Sequence, residues 1–260
     1  MSPADSGKIS SMQSSTSTEP RRIAMWSGPR NISTAFMRAF ENRPDTFVCD
    51  EPFYAHYLQL TGLPHPGREE VIASQETDWE KVAAWLTGPV PEGKSLFYQK
   101  HMAHHLLPGM GRAWMSQVTH CFLIRDPRAM LPSLDSKYPN PTLNDTGLPQ
   151  QWEIFDRVRQ ETGRAPPVID ARDLLANPRA LLQRLCDTLQ IPFSDRMLHW
   201  PAGPRATDGI WAKHWYDAVW KSTGFQPLQE QAGIFPAHLE PLLQRCMEPY
   251  AALHAHRLRE

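Results

Sequence analysis

The sequence predicts an α/β fold: a single domain on an open, mostly parallel, P-loop-like sheet with helices on both faces. Three observations predict it. Short apolar runs of strand length recur between amphipathic segments of helix length. One run, Val118 to Ile124, is almost continuously apolar, as expected of a parallel strand buried on both faces. Tight turns, Ser27-Gly28-Pro29 and Asp126-Pro127, sit where a strand hands over to a helix.

The elements follow in order. Residues 1–20, rich in Ser and Thr, are expected to form a disordered tail, leaving 21–260 as the α/β domain. The run Ile23 to Ser27 predicts a first buried strand, and Asn31, Ser33 and Thr34 open a helix over 31–42. A strand over 46–49 leads into an Asp50-Glu51-Pro52-Phe53 loop, and Pro and Gly crowd a surface loop at 62–67. Thr77 to Leu86 reads as a helix with Asp78 or Thr77 as N-cap. Strands are expected at 95–100 and 118–124, the latter followed by a helix to about Lys137 with Pro127 near its start. A helix over 148–162, a short strand at 167–170 and amphipathic helices over 179–189 and 238–256 complete the pattern.

Composition narrows the function. At 260 residues the chain can bury roughly three quarters of its unfolded surface without disulfide staples. The net charge of -1 argues against a general nucleic-acid or membrane-surface binder. Cys49, Cys121, Cys186 and Cys246 form no C-x-x-C pair and read as reduced, mostly buried thiols of a cytoplasmic protein. No apolar run reaches the ~18–20 residues of a membrane span, and no signal-peptide core is expected at the N-terminus.

Two motifs carry the chemistry. In Trp26-Ser-Gly-Pro-Arg-Asn-Ile-Ser-Thr34 a strand, a tight turn and a helix start would aim free backbone N–H groups at an anion. Arg30 adds a positive charge, and Ser33 and Thr34 add hydroxyl donors. The ATP-type pattern G-x-x-x-x-G-K-[ST] starts at Gly28 and fails, because Ser33 and Thr34 stand where Gly and Lys belong. In Phe122-Leu-Ile-Arg-Asp-Pro-Arg-Ala-Met-Leu-Pro-Ser133 a buried strand delivers Arg125 at its carboxyl end, with Ser133 two helical turns on. Alone, Arg125 could simply pair with Asp126. Together the motifs place two basic sites at one sheet edge, which fits a ligand with two separated phosphates.

On these residues the chain resembles the sulfotransferase superfamily, enzymes that use 3′-phosphoadenosine-5′-phosphosulfate. Arg30-Asn-Ile-Ser-Thr34 is similar to the family's 5′-phosphosulfate loop. Arg125-Asp-Pro with Ser133 is similar to its 3′-phosphate site. Val168-Ile-Asp-Ala-Arg-Asp-Leu174 and Asp208-Gly-Ile-Trp-Ala-Lys-His-Trp215 resemble a later strand–helix segment and a loop over the nucleotide. Ile32 departs from the family, which usually has a small Gly there. The resemblance implies transfer of a sulfuryl group to a hydroxyl or amine of a small acceptor, by positioning and charge stabilisation, with no metal required. It implies Arg30 at the leaving group; Asn31, Ser33 and Thr34 on the 5′ side; and Arg125 and Ser133 on the 3′ side. Lys213 would reach the 3′-phosphate, or be an ordinary exposed Lys.

The base stays open between Glu51 and a histidine, His101 or His104, with Lys100 near the transferring group. An imidazole suits the task because its unperturbed pKa is about 6.5, and a carboxyl in a closed pocket can be raised toward neutrality. His101, His104 and His105 could instead bind zinc or only pack. Trp211, Trp215 and Trp220, spaced four and five apart, fit lid packing or a contact with adenine or acceptor. A small-molecule kinase using ATP and a non-catalytic nucleotide-binding module are the alternatives. The acceptor and the oligomeric state cannot be read from the sequence.

Overall fold

A computed structural model of the chain describes residues 19–227 and 234–259. The expected tail over 1–20 falls, for residues 1–18, outside the described residues. Five strands form one sheet: β1 (Arg21–Ser27), β2 (Thr46–Asp50), β3 (Leu96–Met102), β4 (Thr119–Ile124) and β5 (Val168–Asp170). Their order is β2-β3-β1-β4-β5, and every pairing is parallel. Strand β1, which leads into the Gly28–Thr34 turn, is therefore the central one.

The helices are α1 (Ser33–Glu41), α2 (Tyr54–Thr61), α3 (Arg68–Ser74), α4 (Trp79–Thr87), α5 (Pro127–Asp135) and α6 (Leu148–Thr162). They continue with α7 (Ala171–Ala176), α8 (Pro178–Leu189), the single turns α9 (Ala212–Trp215) and α10 (Asp217–Trp220), and α11 (Glu240–His254). Side chains alternate across β1, so Ala24 and Trp26 join one core and Ile23 and Met25 the other. The first core packs α4, α5, α6 and α11 against the sheet, and the second packs α1 and α8. A third, smaller cluster joins α2, α3 and the α9 turn through Tyr54, Tyr57, Val71, Trp211 and Tyr216.

Differences from expectation have local causes. The first helix starts at Ser33 rather than 31, because Arg30 and Ile32 both take left-handed backbone, φ 60° and 58°. The Pro/Gly stretch 62–67 is the connection between α2 and α3, two helices the sequence reading left as loop. Both ends of that connection are glycines with positive φ, Gly62 at 67° and Gly67 at 73°. Asp78 caps α4, its carboxylate accepting from Glu80 N at 3.0 Å. Asp170, the last residue of β5, caps α7, so that unpredicted helix follows the strand without a loop. The four cysteines are free and buried. No described helix is long and apolar enough to cross a membrane.

Candidate functional site

The residues that follow β1, β2 and β4, with the end of β3, enclose a cavity of about 400 Å³. This is the carboxyl edge of a parallel sheet, where such folds bind ligands. Arg30, Ser33, Thr34, Glu51, Lys100 and Arg125 all line it.

The loop between β1 and α1 is built by its backbone. Helix α1 starts without a side-chain cap, so its first N–H groups are free for an anion. Gly28 is required by space: a Cβ there would stand 2.1 Å from the carbonyl oxygen of Thr146. Asn31 lines the cavity, but its buried amide is engaged inward: in the amide orientation that satisfies both its atoms it accepts from Gly28 N at 3.3 Å and donates to Pro29 O at 3.2 Å. The Gly usual at position 32 has a physical reason here. The position is left-handed, and Ile32 holds it at a steric cost of about 1–3 kcal/mol.

Two guanidinium groups face this loop. Arg30 Nε donates to Ser133 Oγ at 2.9 Å, and Arg125 Nη1 donates to the Arg30 carbonyl at 2.9 Å. Neither makes an ion pair with a carboxylate among the described residues. Burial lowers the pKa of both, and the charge of Arg30 lowers Arg125 further. Two cations close together without a paired carboxylate among the described residues can attract an anion. Ser133 does not line the cavity itself; it reaches it through Arg30.

The second half of the site is a buried charge cluster. Strand register sets Asp50 beside Lys100. Lys100 Nζ donates to Asp50 Oδ1 at 2.7 Å, Glu51 Oε1 at 2.6 Å and the Tyr216 hydroxyl at 2.8 Å. Burial works against the Lys100 charge, yet Asp50 and Glu51 hold its pKa well above the usual value. Burial raises the Glu51 carboxyl; Lys100 opposes that and Asp50 adds to it. Glu51 sits on left-handed backbone, φ 45°, making it the third strained non-glycine residue at the cavity.

Three expected site residues are placed differently. His101 points to the opposite face of β3 from Lys100 and is absent from the cavity wall. It stacks on Trp26 at 4.4 Å and Phe53 at 5.6 Å, and burial followed by His120 pushes its pKa down to about 3. Lys213 lies on the exposed side of α9, paired with Glu70, and does not line the cavity. Lys100 lines it, but all three of its protons are taken by protein acceptors, which removes it as a contact to the transferring group. His104 does line the cavity; burial lowers its pKa to about 4, and its buried Nδ1 has no hydrogen-bond partner among the described residues.

Two members of the site escaped the sequence reading. Asp50, expected in the loop after the second strand, is the last residue of β2 and the register partner of Lys100. Tyr216 carries no local signal; the chain from 205 to 220 brings it back, anchored by a buried Arg38–Asp208 ion pair and a Trp220 Nε1 to Asp208 Oδ2 bond of 2.9 Å. Trp211 and Trp215 from the same segment line the cavity, whereas Trp220 does not. No group of three or more His, Cys, Asp or Glu among the described residues is arranged to hold a metal ion.

A family model for a sulfotransferase domain matches residues 21–257. Two Arabidopsis thaliana proteins, branched-chain-amino-acid aminotransferase-like proteins 2 and 1, are each 39% identical, over 236 and 241 residues. Those matches cover 90% and 92% of this chain but 41% and 42% of theirs, so the chain spans about two fifths of the curated relatives it matches. The sulfotransferase domain of the Synechococcus PCC 7002 olefin synthase superposes with a TM-score of 0.57 at 19% identity, over 90% of this chain and 96% of that one. A sulfotransferase from Alicyclobacillus acidocaldarius gives 0.54 at 13% identity, over 92% and 97%. At these identities the solved structures establish the fold.

Proposed function

The chain belongs to the sulfotransferase domain family; from that premise we propose that it transfers a sulfuryl group, with 3′-phosphoadenosine-5′-phosphosulfate as its donor and a hydroxyl or amine of a small molecule as its acceptor. One observation carries the donor assignment. Two partly buried guanidiniums line one cavity, that of Arg125 donating to the main-chain carbonyl of Arg30 at 2.9 Å and that of Arg30 to Ser133 Oγ at 2.9 Å, with no carboxylate paired to either among the described residues. A nucleotide with phosphate groups at both ends supplies the missing negative charge.

In this reading Arg30, Ser33, Thr34 and the open start of α1 hold the 5′ side. Charge building on the leaving phosphate meets donors already in place. Arg125 takes the 3′-phosphate. Ser133, accepting from Arg30 Nε, fixes that guanidinium at the cavity from behind. Glu51 is the base for the acceptor proton. It lines the cavity, its Oε2 makes no hydrogen bond among the described residues, and burial raises its pKa toward a useful range. His104 is the second candidate, because the residue lines the cavity.

Calorimetric titration tests the donor assignment. Arg125→Ala should weaken 3′,5′-diphosphoadenosine by roughly 10- to 100-fold, the equivalent of one charge-assisted contact of about 1.5–3 kcal/mol. AMP affinity should stay within about threefold. Equal losses for the two nucleotides contradict the 3′ assignment, and magnesium-dependent turnover of ATP would favour a kinase instead.

A further inference from the structure

Glu51 does not stand alone. Lys100, Asp50 and Glu51 have side chains only 1%, 2% and 10% exposed. An ammonium has three protons, and those of Lys100 go to Asp50, Glu51 and Tyr216. Asp50 is filled as well: Oδ1 takes Lys100, while Oδ2 takes the Tyr216 hydroxyl at 2.6 Å and Gly209 N at 3.3 Å. Of the four carboxylate oxygens, only Glu51 Oε2 receives no donor among the described residues. Tyr216 is the hinge of this arrangement, because its oxygen accepts from Lys100 while its proton goes to Asp50.

We infer that Tyr216 and Asp50 are positioning residues of the transfer reaction: they take up the protons of Lys100 that Glu51 does not use, and so leave Glu51 Oε2 free at the cavity wall. The inference rests on the reading of Glu51 as the base. Its physical content is a division of labour. Without the Tyr216 hydroxyl, Lys100 keeps a proton with no acceptor in the cluster, and Asp50 loses a donor. Without the Asp50 charge, Glu51 loses the negative neighbour that resists its ionisation.

The groups facing Glu51 are Asp50 beside it, Lys100 from β3, Tyr54 from α2 and Tyr216 from between α9 and α10. The two substitutions therefore act with opposite signs. Tyr216→Phe removes a donor from the carboxylate pair, so Glu51 holds its proton to higher pH. Asp50→Asn removes a negative charge, so Glu51 releases its proton at lower pH. A role limited to packing shifts neither.

The test needs no acceptor. The full chain is labelled with ¹³C at the glutamate carboxyls, and the Glu51 resonance is identified as the one lost in Glu51→Gln. Its titration midpoint should rise by roughly half a pH unit or more in Tyr216→Phe and fall by a similar amount in Asp50→Asn. An unmoved midpoint in either variant, with near-ultraviolet dichroism and cooperative melting retained, overturns the inference. If one variant does not fold, the other decides. The unaltered chain gives its own check by ¹⁵N-lysine spectroscopy. The Lys100 ammonium protons should exchange slowly, and exchange as fast as at exposed Lys81 overturns the arrangement. 3′,5′-Diphosphoadenosine binding is recorded on the same samples. Its absence in the unaltered chain counts against the donor assignment, whereas an unmoved Glu51 midpoint counts against the inference.

Discussion

Lys100→Met removes one positive charge from beneath two carboxylates and leaves a side chain of similar length. The structure sets the magnitude. Three short hydrogen bonds, 2.6, 2.7 and 2.8 Å, disappear from a site shielded from water. Breaking a buried ion pair from one side costs about 3–5 kcal/mol, because the remaining charge is left uncompensated. At 260 residues, each kcal/mol moves Tm by roughly 2–4 °C, so Tm near neutral pH should fall by roughly 6–20 °C. The pH dependence has a definite sign. Burial already raises Glu51, and losing Lys100 raises it further. A carboxyl raised on folding contributes stability that is fully present below its unfolded pKa of about 4.3 and is lost as pH climbs through the folded value. The variant should thus lose about 1.4 kcal/mol per pH unit above ~4.3 while folded Glu51 stays protonated. Lys100 in the unaltered chain, raised by its partners, contributes stability below about pH 10.4, lost only as pH passes its higher folded value, so it adds no slope near neutrality. Urea unfolding at pH 5 and pH 8 measures the difference. An equal deficit at both values, or one under about 1 kcal/mol, refutes the reasoning.

Three further outcomes are expected. Ile32→Gly, which relieves left-handed strain of about 1–3 kcal/mol, should melt higher than Ile32→Ala, reversing the usual cost of glycine; a lower melt for Gly argues against the strain. Gly28→Ala should cost about 1–3 kcal/mol by overpacking against the Thr146 carbonyl and weaken 3′,5′-diphosphoadenosine in calorimetry; unchanged binding would show that the loop has room. His101→Phe should retain nucleotide affinity and the Glu51 titration midpoint, with a stability change below about 1.5 kcal/mol, because the ring is neutral and stacked away from the cavity. A large loss of affinity would return His101 to the site.

Much of this was legible because it is local. The turn after β1, the Pro127 start of α5 and the alternation of strands with helices are written in consecutive residues, and α6 occupies the expected 148–162. Alternation along β3 also held a usable signal. Lys100 and His101 are adjacent in a strand, so only one of them can face the cavity. What was not legible depends on strand order and on returning chain. Asp50 meets Lys100 because β2 lies beside β3, which no local pattern encodes. Tyr216 arrives from more than a hundred residues downstream. Helices α2 and α3 were hidden because their connection is dense in Pro and Gly, and because α2 is buried along Tyr54 to Leu58 rather than on one stripe.

The bond from Arg125 to the carbonyl of Arg30 leaves both positive charges unneutralised at close range. If the proposed nucleotide site holds, the protein purified without ligand is an ion exchanger of one site. Sulfate, phosphate or other multivalent buffer anions will gather there, raise the melting temperature by mass action and compete with any titrated nucleotide. Affinities recorded in phosphate buffer are then exchange constants, and only a monovalent, weakly coordinating medium returns the affinity of the empty site.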